Sequence, residues 1–214
     1  MMIVVSPQGG HGTSHLGGFL ANKPGRLSLR PDAIFKRPIL RNSRPLKKDK
    51  RKWNERTHVK LNLDKSILDN LYSLTKNPNV KNIILWGACS EHYEFLTRYG
   101  VKAYCLVRHP VSAYVSLYRH KHPELAKPFG GFEKKRAIEN WARIWNSVVT
   151  DFLKSGNKII RFEFFSEDVE GTGLEFLSDG WKSERRNDEE LNPDLTKYLK
   201  ILVMNNYQKL YGEM

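Results

Sequence analysis

The chain has 214 residues, with 36 Lys and Arg against 23 Asp and Glu, a formal charge of +13 and 40% hydrophobic residues. That length suits one domain, 1–214, whose core needs no disulfide or metal support, and a charged share of 28% argues against disorder throughout. Cys89 and Cys105 are the two cysteines, which excludes a disulfide framework and a CxxC metal cluster and fits a reducing, cytoplasmic compartment.

The opening Met1-Met2-Ile3-Val4-Val5 is too short for a signal-peptide core and lacks a basic leader, so an intracellular protein is expected. No apolar run reaches the roughly 18 residues that span a bilayer. The basic excess favours polyanionic partners such as nucleotides, sulfated or phosphorylated glycans, nucleic acid or acidic membrane surfaces. No finger, RNP-like strand or basic heptad supports a specific nucleic-acid partner.

In chain order, Ile3-Val4-Val5-Ser6 reads as a strand, followed by a glycine-rich turn over 8–12 and a helix from Thr13 or Ser14 toward Ala21. Residues 22–60 turn to Pro, Arg and Lys, including Lys47-Lys48-Asp49-Lys50-Arg51-Lys52, and are expected to form a basic irregular insertion. Leu68, Leu71 and Leu74 predict a helix over 64–76; a strand over 82–86 and a short helix over 93–99 come next. The run Lys102-Ala103-Tyr104-Cys105-Leu106-Val107 predicts a buried strand, and a helix is expected over 111–119. Ile138, Trp141, Trp145, Val148, Val149 and Phe152 place a long amphipathic helix over 132–155. A strand over 158–163, a helix near 168–177 and a final helix over 193–210 complete the pattern. Repeated strand-then-helix units predict α/β architecture with a parallel sheet covered by helices.

The segment Pro7-Gln8-Gly9-Gly10-His11-Gly12-Thr13-Ser14 has the length of a Walker A loop, with Pro7 at its first glycine and Thr13 in the lysine slot. As an ATPase signature it fails, because the cation that contacts the β- and γ-phosphates is missing. The backbone cradle remains: N–H groups at a helix start, beside the Thr13 and Ser14 hydroxyls, are suited to one or two phosphate-like groups.

The segment Val107-Arg108-His109-Pro110-Val111-Ser112-Ala113-Tyr114-Val115-Ser116 places an arginine at the end of a strand and a serine eight positions later, two turns into the next helix. It resembles the 3′-phosphate-binding motif of sulfotransferases that use 3′-phosphoadenosine 5′-phosphosulfate (PAPS). Gly12-Thr13-Ser14-His15 then looks like the G-T-T-W end of that family's P-K-S-G-T-T-W loop, with Gly9, Gly10 and His11 at its proline, lysine and serine and His15 at its adenine-stacking tryptophan. Trp141 with Trp145, Arg161-Phe162-Glu163 and the closing 206–212 stretch resemble later landmarks, while of the family's late glycine- and lysine-containing donor-binding stretch Gly180-Trp181-Lys182 resembles no more than a fragment.

The resemblance implies a three-layer, P-loop-like fold, with a central parallel sheet between two helical layers. It also implies transfer of a sulfuryl group from PAPS to a hydroxyl or amine acceptor, an acidic glycan or a small molecule, leaving adenosine 3′,5′-bisphosphate (PAP). Gly9, Gly10, His11, Gly12, Thr13, Ser14, His15, Arg108 and Ser116 are its donor-binding candidates. The family lysine that steadies the leaving oxygen is absent from the loop, so His11 or a distant basic residue takes its part, or turnover is lost. His92 is the leading candidate for general base, with Glu91 and His58 as rivals. No metal is expected. The alternative is a PAP-, nucleotide- or polyanion-binding protein of the same shell without turnover; a P-loop kinase or a nucleic-acid-binding domain stands further off.

Overall fold

The structure is a computed structural model that describes residues 2–7, 10–12, 16, 26–29, 76, 82–88, 102–179, 181 and 190–212. It divides into two compact units, one formed by Met1–Val4 with Ser14–Lys102 and the other by Val5–Thr13 with Ala103–Met214. Helices combined with parallel strand pairing make the described residues α/β in character. Among them no helix is long and apolar enough to cross a membrane.

The first unit holds β1 (Met2–Val5, whose last residue belongs to the second unit), β2 (Arg26–Leu29) and β3 (Asn82–Ala88), side by side in the order β2-β3-β1. Strands β2 and β3 run parallel, from Arg26 opposite Asn82 to Leu29 opposite Leu85. Strand β2 falls inside the segment expected to be irregular; Arg26-Leu27-Ser28-Leu29 carries the polar-apolar alternation of a strand, which the surrounding Pro and Lys content obscures. The rest of 22–60, the helix expected over 93–99, and all but Lys76 of the helix expected over 64–76 lie outside the described residues.

The second unit is built on β4 (Lys102–Val107, whose first residue belongs to the first unit) and β5 (Ile159–Arg161), which pair in parallel with Cys105, Leu106 and Val107 opposite Ile159, Ile160 and Arg161. Apart from Lys102, every residue of β4 is buried, so its apolar run behaves as a strand covered on both faces. Pro110 opens α1 (Pro110–Val115), where its missing N–H costs nothing, and the chain passes directly into a π-helical turn, Ser116–Lys121. Helix α2 (Lys135–Ser155) buries Ile138, Trp141, Trp145, Val149 and Phe152 on one face.

Two expected elements are shorter or split. The strand after α2 stops at Arg161 because Phe162–Phe164 winds into a 3-10 turn, followed by the short α3 (Phe165–Asp168). The helix expected near 168–177 is instead α3 and a 3-10 turn, Glu175–Leu177, separated where Gly171 and Gly173 adopt left-handed backbone with φ of 72° and 83°. Helix α4 (Pro193–Tyr211) starts behind Asn192, whose side chain accepts from the Asp194 N–H at 2.9 Å. Asn206 ties α4 to α2, its amide donating to Asn146 O, Asn146 Oδ1 and Thr150 Oγ1. Asn146 returns a bond to Leu202 O at 2.8 Å.

Candidate functional site

Arg108 emerges where β4 ends, on a residue that is 8% exposed, and its guanidinium carbon lies 5.2 Å from the centre of the Phe162 ring. Phe162 follows β5, the parallel neighbour of β4, so the pairing register delivers the aromatic face to the arginine. On its edge Phe162 meets Trp181 at 5.2 Å, and the Trp181 indole N–H donates to Phe162 O at 3.2 Å.

The glycine turn belongs to the same compact unit as Arg108. Gly10 and Gly12 have φ of 91° and 85°, the left-handed region that side chains resist. Space adds a second demand. A Cβ on Gly10 would run into the carbonyl oxygen of Ala113 and stand 3.3 Å from Leu117 Cβ, and one on Gly12 would run into the ring of Phe162. The turn therefore lies against α1 and the π turn on one side and against Phe162 on the other.

Between the glycines, His11 is fully buried. Its Nδ1 accepts from the Arg108 backbone N–H at 3.0 Å, which puts the ring proton on Nε2. Nε2 has no hydrogen-bond partner among the described residues, and the ring lies parallel to that of Trp141 with centres 6.2 Å apart. Burial, reinforced by the positive charges of Arg108 and Lys121, lowers the imidazole pKa from 6.5 to about 3. His11 is thus neutral near pH 7, and in this arrangement it brings no positive charge to the turn.

The next peptide is held as firmly. The His109 N–H donates to Glu163 Oε1 at 2.9 Å, while Glu163 Oε2 accepts from the Tyr211 hydroxyl at 3.2 Å. Burial first, then the Glu163 charge, holds the Tyr211 phenol well above its ordinary value. The rings of Tyr207 and Tyr211 stack at 4.9 Å, and His109 meets Tyr207 edge-on at 5.5 Å. Two consecutive N–H groups, those of Arg108 and His109, are therefore bonded to side chains from elsewhere in the unit. Both N–H groups are thus committed to partners within the unit and are not offered to an incoming group.

Ser116 is half-buried at the junction of α1 and the π turn, eight positions after Arg108. The structure thus brings together Gly10, His11, Gly12 and Arg108, with Ser116 on the adjoining helix. Gly9, Thr13, Ser14, His15, His92, Glu91 and His58 lie outside the described residues. Among the described residues no group of three His, Cys, Asp or Glu is placed to hold a metal ion.

Sequence reasoning attached no role to three contributors: Phe162 as the surface under Gly12 and Arg108, Glu163 as the acceptor that fixes His109, and Lys121 as a charge acting on His11. For Lys121 the sequence held no usable signal, because the winding of Ser116–Lys121 into a π turn is not written in its local pattern. No protein-family model, curated protein or solved structure matches this chain.

Proposed function

We propose that this chain is a PAPS-dependent sulfotransferase of three-layer, P-loop-like architecture, acting in the cytoplasm. The observation that supports the reading most is the bond from the Arg108 backbone N–H to His11 Nδ1, which joins the two segments that carry the resemblance. In this reading the donor's 3′-phosphate is gripped by Arg108 and Ser116, while the 5′ end rests on the glycine turn from Gly9 to Ser14. The sulfuryl group passes from the donor's bridging oxygen to an acceptor oxygen or nitrogen, and PAP departs with that oxygen. The acceptor's proton goes to a base, for which His92 is the candidate. Acidic glycans and small hydroxyl or amine compounds are the acceptor classes.

The test is a calorimetric titration of wild type and Arg108→Ala with PAP, followed by mass-spectrometric screening of acceptors with labelled PAPS. Loss of a charge-assisted phosphate contact weakens binding by about tenfold or more. Equal affinity in the two proteins refutes the assignment of Arg108. A second reading, a PAP-binding shell without turnover, draws on the neutral, enclosed state of His11 in a loop without lysine. PAP affinity without sulfate transfer across the acceptor panel selects it.

A further inference from the structure

Sulfuryl transfer, like any reaction that leaves charge on a phosphate oxygen, needs a cation or strong donor at the leaving oxygen. The residues 9–14 contain no lysine or arginine, and His11 is held neutral. The positive charge has to come from outside the loop.

The packing of the turn indicates where. Gly10 sits against Ala113 and Leu117, so the loop lies along one stripe of the helical segment that follows Arg108. The next position on that stripe is 121. In a continuous α-helix an i, i+4 stripe drifts by about 40° at each step, and a side chain two steps along leaves the face on which it began. The π turn changes this. Its wider closure, from the His122 N–H to Leu117 O at 2.7 Å, turns the chain through fewer degrees per residue, which carries position 121 back toward the face of Ala113 and offsets the drift. Single π turns of this kind are frequent at functional sites. Lys121 is exposed, and its charge acts on His11 alongside that of Arg108.

We propose that Lys121 supplies the cationic contact to the anion held at the glycine turn, in place of the lysine that the loop lacks. The ligand group is the 5′-phosphate or phosphosulfate end of a 3′-phosphorylated adenosine, so the inference rests on the sulfotransferase reading. Arg108 and Lys121 then divide the nucleotide between them, the first at its 3′ end and the second at its 5′ end.

Lys121→Gln and Lys121→Arg are compared with wild type and Arg108→Ala, using PAP and adenosine 3′-monophosphate as probes. Lys121→Gln is expected to weaken PAP by about tenfold while leaving adenosine 3′-monophosphate within about twofold, because only PAP carries the 5′ group. Lys121→Arg restores most of the lost affinity, and Arg108→Ala weakens both probes. If wild type binds PAP and Lys121→Gln binds it equally well, or if Lys121→Gln loses the two probes in equal measure, the role of Lys121 is overturned and the sulfotransferase reading stands. If wild type binds neither probe, the sulfotransferase reading falls and the Lys121 inference with it.

Discussion

Replacing His11 by asparagine separates what the imidazole does as an acceptor from what it does as a titratable group. Asparagine keeps an oxygen near the position of Nδ1 for the Arg108 N–H, while removing a ring that takes up a proton at an ordinary pKa of 6.5 when unfolded and at about 3 when folded. Because the folded value lies below the unfolded one, protons bind the unfolded chain first as pH falls. The stability due to neutral His11 is complete above pH 6.5 and is lost progressively down to about pH 3. Each pH unit in that window costs about 1.4 kcal/mol, so two units below the ordinary value the wild type has lost about 3 kcal/mol from this group. That is a large part of the roughly 5–15 kcal/mol of a typical domain. Urea unfolding at about pH 7 and about pH 4.5 measures it, the midpoints being compared at unchanged slope. His11→Asn should be the less stable protein at the higher pH, through lost packing on Trp141, and the gap should close by about 3 kcal/mol at the lower pH. Carboxylates titrating in the same range affect both proteins alike. A gap that stays constant between the two pH values refutes the claim that burial holds His11 neutral.

Gly12→Ala should destabilise the fold by about 2–4 kcal/mol in thermal unfolding, since the new methyl meets the Phe162 ring on left-handed backbone. Asp168 accepts from Arg161 N at 2.7 Å, Nε at 2.8 Å and Nη2 at 2.7 Å, so Asp168→Asn should cost about 2–3 kcal/mol, read by the same assay. Asn206→Leu leaves acceptors on Asn146 and Thr150 without their donor and should lower stability by about 1–3 kcal/mol in urea titration. The Cys105 thiol is buried and pushed up by that burial, so iodoacetamide should leave it unmodified in the native protein and modify it in denaturant, as peptide mass spectrometry would show.

Elements specified by burial pattern were legible in the sequence. Lys102–Val107 reads as a buried strand because its apolar run is short and bounded by charge, and it is one. The tryptophan stripe set out α2, although the helix begins at Lys135, three residues after the expected start, with Phe132 instead stacking on Tyr114 and its carbonyl accepting from the Tyr114 hydroxyl at 2.5 Å. Choices between nearly equal local hydrogen-bond patterns were not legible. Ser116–Lys121 winds as a π turn, and Phe162–Phe164 leaves the strand for a 3-10 turn, because of packing that no short window of sequence contains. The site divides in the same way. Gly10, Gly12 and Arg108 announce themselves by residue type and position, whereas Glu163 matters only because the parallel pairing of β4 and β5 carries it to the His109 peptide, 54 residues away in sequence.

One carboxylate, Glu163, holds both the peptide that follows Arg108 and the final turn of α4. Mechanical slack in either place is transmitted to the other, so opening of the arginine turn and fraying of the helix end belong to a single cooperative event. A fluorine label on Tyr211 would then sense a change at the peptide that follows Arg108.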